Sequence, residues 1–140
     1  MFCIKFGYYN TKDWKMCRYA DPIVDTFGDI LTAAGKTQFG GDEAEKAAAI
    51  TPFMAIVRMY NCMMEKNLIQ HGGKWAASNT ISIADFIMAS YIGNFIMNEQ
   101  NPLSPMLKEC LDETPKFKAY CMAIMIEFKH LKTRGNVGPF

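Results

Sequence analysis

The sequence predicts an all-α fold, a helical bundle of about five helices, and three observations carry that prediction. Apolar residues recur at three- and four-residue spacings along most of the chain, while alternating strand patterns are scarce. Asp, Ser and Thr before these segments and Gly or Pro at their ends divide the chain into helix-length pieces. Its 140 residues, 50% hydrophobic and 21% charged, make one domain large enough to bury a core.

The first long helix is predicted over Thr11 to Lys36, with Trp14, Cys17, Ile23, Phe27, Ile30 and Leu31 at helical spacings and Gly35 as its stop. Asp21-Pro22 interrupts it, which implies a kink or a fresh start with Asp21 as N-cap. Gly40-Gly41-Asp42 reads as a turn. Asp42 then caps a second helix that opens on Glu43 and Glu45, where the dipole favours acids, and runs to about Ile69. Ala47, Ile50, Met54, Val57, Met64 and Leu68 lie on one side of it, and Thr51-Pro52 repeats the kink. Two long proline-containing helices joined by a short turn predict an antiparallel pair at the heart of the bundle.

His71-Gly72-Gly73-Lys74 ends the second helix, and Trp75 to Thr80 reads as a loop. Ser82 and Asp85 have capping-box spacing, and Ile81 and Phe86 have that of a hydrophobic staple. The run that follows, to Met97, is apolar nearly all round and predicts the central, buried helix. Asn101-Pro102 and Ser104-Pro105 start a short helix through Leu111. Thr114-Pro115 starts the last, which carries Phe117, Tyr120, Cys121, Ile124 and Phe128, and residues 132–140 read as an irregular tail.

Charge and composition exclude several functions. Fifteen Lys and Arg against fourteen Asp and Glu leave a net +1, without the basic excess of a nucleic-acid-binding domain. No uninterrupted apolar run reaches the roughly 18 residues of a membrane span, and Met1 to Asn10 has no secretory signal pattern. An intracellular setting is expected, either cytoplasmic or, from Lys5, Lys12, Lys15 and Arg18 against Asp13, mitochondrial. The five cysteines are scattered without zinc spacing and read as reduced, mostly buried thiols, so no metal is expected. His71 and His130 have no catalytic partner at a recognisable spacing, and the eleven methionines, among them Met63-Met64, Met122 and Met125, read as core filler or as an adaptable binding surface. Residues 1–20 and 115–140 are net basic, whereas residues 21–45 hold six carboxylates against Lys36 alone. Such asymmetry suits docking to a protein surface of complementary charge.

Three segments then resemble a known family. Asp21-Pro-Ile-Val-Asp-Thr-Phe-Gly-Asp29, Trp75 through Phe86, and Pro115-Lys-Phe-Lys-Ala-Tyr120 are similar to the first long helix, the N-capping box with its staple, and the start of the last helix in the C-terminal domain of glutathione transferases. The likeness is greatest to the sigma class, which includes the prostaglandin D synthases, and covers about residues 8 to 130. It implies a leader or linker remnant over 1–9, a helical domain over 10–131 and a tail over 132–140.

In that family glutathione is held and activated by a thioredoxin-like N-terminal domain, of which Met1 to Tyr9 would match only the last helix end and the linker. The resemblance therefore implies no catalytic residue and no cofactor in this chain. Asp29 stands where members reach glutathione across a dimer interface, and Ile30, Leu31 and Ala34 would line the hydrophobic-substrate wall. Three positions depart from the pattern. Gly28 replaces a metal-binding Asp of some sigma members, Lys36 an aromatic of the prostaglandin synthases, and Ser78 the usual loop Gly.

The expected function is a non-catalytic interaction module, a structural subunit of a larger assembly or a homodimer, with Phe2, Phe6, Tyr8, Tyr9 and Trp14 as contacts. Similar domains dock in translation-factor and aminoacyl-tRNA synthetase complexes. The alternatives are a degenerate or truncated transferase, for which glutathione would be the ligand, and a carrier of hydrophobic small molecules.

Overall fold

The computed structural model describes residues 2–128 and, of Phe2, the backbone alone. His130 and the predicted tail lie outside the described residues. A four-residue α1 (Phe2–Lys5) precedes five longer helices: α2 (Trp14–Phe39), α3 (Glu43–His71), α4 (Ile83–Tyr91), α5 (Ser104–Asp112) and α6 (Pro115–Glu127). A π-helical turn, Ile92–Ile96, extends α4, and no strand occurs among the described residues. The all-α prediction holds.

α2 begins at Trp14, three residues after the predicted start at Thr11, and of the two outcomes expected at Asp21-Pro22 the fresh start does not occur. The Asp13 carboxylate accepts from the Lys15 and Met16 N–H groups at 3.1 Å each, so the first turn is already capped, and the helix continues through Pro22. Its buried stripe is Met16, Ala20, Ile23, Phe27, Ile30 and Ala34, alternating four- and three-residue steps. Trp14 and Leu31, predicted at helical spacings with these residues, fall off that stripe and are exposed, as expected of Trp14 as a contact. Trp14 is two residues from Met16, and Leu31 is one residue from Ile30, displacements that rotate a side chain by roughly 200° and 100° around a helix of 3.6 residues per turn.

Asp42 caps α3 as predicted, accepting from the Glu45 N–H at 2.9 Å, and Gly72 closes it in the left-handed conformation (φ 61°). The buried stripe of α3 starts at Phe53, so Ala47 in the first turns is exposed and Ile50 is half-buried. By length and composition α3 could cross a membrane, with a mean hydropathy of 1.2 over its most apolar 18-residue window. A search for unbroken apolar runs misses this, because polar residues are interspersed. Here its apolar side packs against α2, α5 and α6.

α2 and α3 form the main hairpin, α4 packs on α2, and α6 closes over α3 and α4. α4 is central, as its composition predicts, with Ala84, Asp85, Met88, Ala89 and Tyr91 buried. Where the π turn ends, the free carbonyls find side chains. Asn101 Nδ2 donates to Phe95 O at 2.9 Å and Ser104 Oγ to Ile96 O at 2.6 Å.

α6 is capped across the bundle. Thr114, its N-cap residue, makes no side-chain cap bond. Instead Glu65 on α3 accepts from the Lys116 N–H at 3.2 Å and the Phe117 N–H at 2.7 Å. A carboxylate on a helix N-terminus is stabilised by the dipole as well as by the bonds. We expect Glu65→Ala to cost about 1–2 kcal/mol, the scale of losing an N-cap, and Thr114→Ala to cost less. Chemical denaturation of both variants checks the order.

The cysteines differ from expectation. All five are free thiols, but only Cys110 and Cys121 are buried. Cys62 faces outward from α3, and Cys3 and Cys17 lie half-buried, in the leader and in α2.

Candidate functional site

Two features meet at the start of α4: a buried carboxylate that fixes the helix, and a row of aromatic rings that the helix presents. The capping box forms. Asp85 Oδ2 accepts from the Ser82 N–H at 2.8 Å and from the Ser82 hydroxyl at 2.9 Å. Its Oδ1 accepts from the Ala76 N–H and from the Tyr120 hydroxyl, both at 2.8 Å. The carboxylate is fully buried, and four donors converge on it from the box, the preceding loop and α6. Burial, and then the adjacent Asp85 charge, push the Tyr120 phenol well above its ordinary value, so it stays protonated and donating.

The leader residues are docked here. The Tyr8 carbonyl accepts the Ile83 N–H at 2.8 Å, satisfying a free donor of the first turn of α4. The Tyr8 ring meets Phe86 edge-on at 5.0 Å, and Phe86 meets Phe128 edge-on at 5.5 Å. Tyr8 and Phe86 are 38% and 39% exposed, while Phe128 is buried. Tyr9, half-buried, donates its hydroxyl to Asp21 at 2.6 Å, tying the leader to α2. That bond leads the causes that push its phenol up, followed by the Cys17 thiol.

The other sequence-predicted residues scatter. Ile81 packs against the core, and the ring neighbours described for Phe86 are Tyr8 and Phe128. Ile30 and Ala34 are buried in the core, while Asp29 and Leu31 point outward, so these four residues do not form one wall. Phe6 is 61% exposed, and Trp14 is exposed at the start of α2. The side chain of Phe2 lies outside the described residues. At the departures from the family pattern, the Gly28 carbonyl accepts the Thr32 hydroxyl, and Ser78 turns its loop by bonding both the carbonyl and the N–H of Thr80. His71 has both ring nitrogens engaged, with Ala76 O and the Gly73 N–H.

Among the described residues no group of three or more His, Cys, Asp or Glu is placed to hold a metal ion. The residues that sequence reasoning did not assign to this place are Tyr120, Ala76 and Phe128. A helical aromatic stripe in α6 is visible in the sequence, but nothing in it says that the Tyr120 hydroxyl ends on Asp85.

The family model described as glutathione S-transferase, C-terminal domain matches residues 28–127. No curated protein and no solved structure matches the chain.

Proposed function

The chain belongs to the glutathione S-transferase C-terminal domain family, and from that premise we propose that it works as a non-catalytic interaction module, a structural subunit of a larger assembly. The observation that carries this reading is the aromatic edge at the start of α4. Tyr8 and Phe86 expose more than a third of their surface while packed edge to face, and Phe6, two residues before Tyr8, is 61% exposed. Aromatic rings held rigidly at the surface make good anchors, because they bury much area with little loss of side-chain freedom. The Ile83 to Tyr8 hydrogen bond fixes the Tyr8 backbone at this edge before any partner arrives.

The buried ionisable groups support a structural role. Asp85 and Tyr120 are consumed in holding α4. Burial pushes the thiols of Cys110 and Cys121 up, which keeps them protonated and poor nucleophiles. The free cysteines suit an intracellular setting, cytoplasmic or mitochondrial. Docking domains of this type in translation-factor and aminoacyl-tRNA synthetase complexes are the precedent.

Two measurements test the proposal. The purified chain, given glutathione and a chromogenic electrophile, should show no conjugation above the uncatalysed rate; robust turnover would overturn the reading. The native complex should lose its added mass when Phe86 is changed to Asp, with helicity retained because the ring is partly exposed. Unchanged complex mass in Phe86→Asp would rule out this edge, and a mass of two copies would identify the partner as the chain itself.

A further inference from the structure

A cleft that shares no residue with the aromatic edge opens between the first turns of α2, the last turn of α3 and the loop before α4. It is open to solvent on one side and has a volume of about 580 Å³, within the range of roughly 300–1,000 Å³ that holds small molecules. Its polar floor is already satisfied. His71 Nδ1 accepts the Gly73 N–H at 2.8 Å, which leaves Nε2 as the donor to Ala76 O at 3.1 Å. Tyr19 packs edge-on against that imidazole at 5.1 Å, and the Ser78 hydroxyl is held by Thr80. The floor is thus rigid, with its hydrogen-bonding groups turned inward.

The rim is different. Trp14 is 64% exposed, whereas the other tryptophan, Trp75, is 7% exposed. Trp14 stands off the buried stripe of α2, so its indole contributes little to packing. The Lys15 ammonium sits 5.9 Å from the centre of that ring. Arg18, one turn along α2, has no ion-pair or hydrogen-bond partner among the described residues. The one carboxylate on the rim, Asp13, caps α2 through Oδ1. The rim thus offers a ligand an indole face and two cations, beside the exposed amides of Gln70 and Asn79.

We infer that this cleft binds a small planar aromatic anion, its ring stacked on Trp14 and its carboxylate or phosphate held between Lys15 and Arg18. A flat ring replaces water on the indole. The guanidinium fork of Arg18 matches a planar anionic group with two parallel hydrogen bonds, and Lys15 adds charge.

The probe is 2-naphthoate, added to the full chain while the two indole N–H signals are followed in proton–nitrogen correlation spectra. Trp14 should shift saturably while Trp75 stays fixed as an internal reference. Arg18→Gln should weaken binding about tenfold or more, as expected for loss of a charge-assisted pair. The neutral analogue 2-naphthylmethanol should bind at least as poorly. Trp14 and Arg18 are exposed, so unchanged melting curves for Trp14→Ala and Arg18→Gln would separate lost binding from lost folding. The inference fails if millimolar 2-naphthoate leaves Trp14 unshifted, if Arg18→Gln binds as tightly as the parent, or if the alcohol binds as well as the acid.

Discussion

Asp85→Ala should destabilise the protein by roughly 3–5 kcal/mol, because removal of a buried acceptor leaves its donors unpaired at about 1–3 kcal/mol each. Four donors lose their partner at once: the Ser82 N–H and hydroxyl, the Ala76 N–H and the Tyr120 hydroxyl. The total falls short of the simple sum because water can enter the vacated space and satisfy some of them. For a domain of this size the melting temperature should drop on the order of 10 °C or more. Asp85→Asn keeps the shape and should fall between, since its amide nitrogen turns a donor toward one of the two donor pairs. Tyr120→Phe removes one donor and should cost only about 1 kcal/mol. A double-mutant cycle on Asp85 and Tyr120 should show coupling above about 0.5 kcal/mol. Thermal melts of Asp85→Ala that match the parent would contradict the converging geometry.

That carboxylate also shows how far the sequence can be read. Ser82 and Asp85 are three residues apart, so their pairing is a local spacing and is legible. Tyr120 is 35 residues from Asp85, and Glu65 is 52 from Phe117, so both contacts depend on how α6 lies across the bundle. No periodicity encodes them. The caps of α3 and the central place of α4 were readable for the same local reason, since Asp42, Gly72 and the apolar run act within a turn or along one helix. Leu31 marks the limit within one helix, since it is apolar enough to count with Ile30, yet its phase sets it outside, whereas Trp14, expected as a surface contact, is exposed. The docking of Tyr8 on Ile83 and Phe86 was likewise invisible, as it uses a backbone carbonyl that any residue could supply.

Alkali should unfold the protein cooperatively, and three tyrosines set the sign. Burial is the first cause that raises the phenols of Tyr60, Tyr91 and Tyr120 above their ordinary value of 10.0. Tyr60 donates to Ile23 O at 3.1 Å and to Met88 Sδ at 3.2 Å, and Tyr120 donates to Asp85. The Tyr91 hydroxyl is buried without a hydrogen-bond partner among the described residues, so nothing there would solvate its anion. Below pH 10 both folded and unfolded chains keep these protons, and the contribution to stability is fully present. Above it the unfolded chain releases them while the folded chain does not. The unfolded state then binds fewer protons, and stability falls as pH rises. Each retained proton is worth about 1.4 kcal/mol per pH unit, so three give a slope of about 4 kcal/mol per unit. A net stability of roughly 5–15 kcal/mol would be exhausted within a few units above pH 10. Helicity should therefore collapse in one step that coincides with the ionisation of the buried phenols in the ultraviolet. Tyr60→Phe keeps the ring and removes one ionisable group, so the slope should fall by about 1.4 kcal/mol per pH unit. If all six tyrosines ionised independently near pH 10 while the helices persisted, the phenols would have to be reached by solvent in the folded state, and the packing of α3, α4 and α6 around them would be wrong.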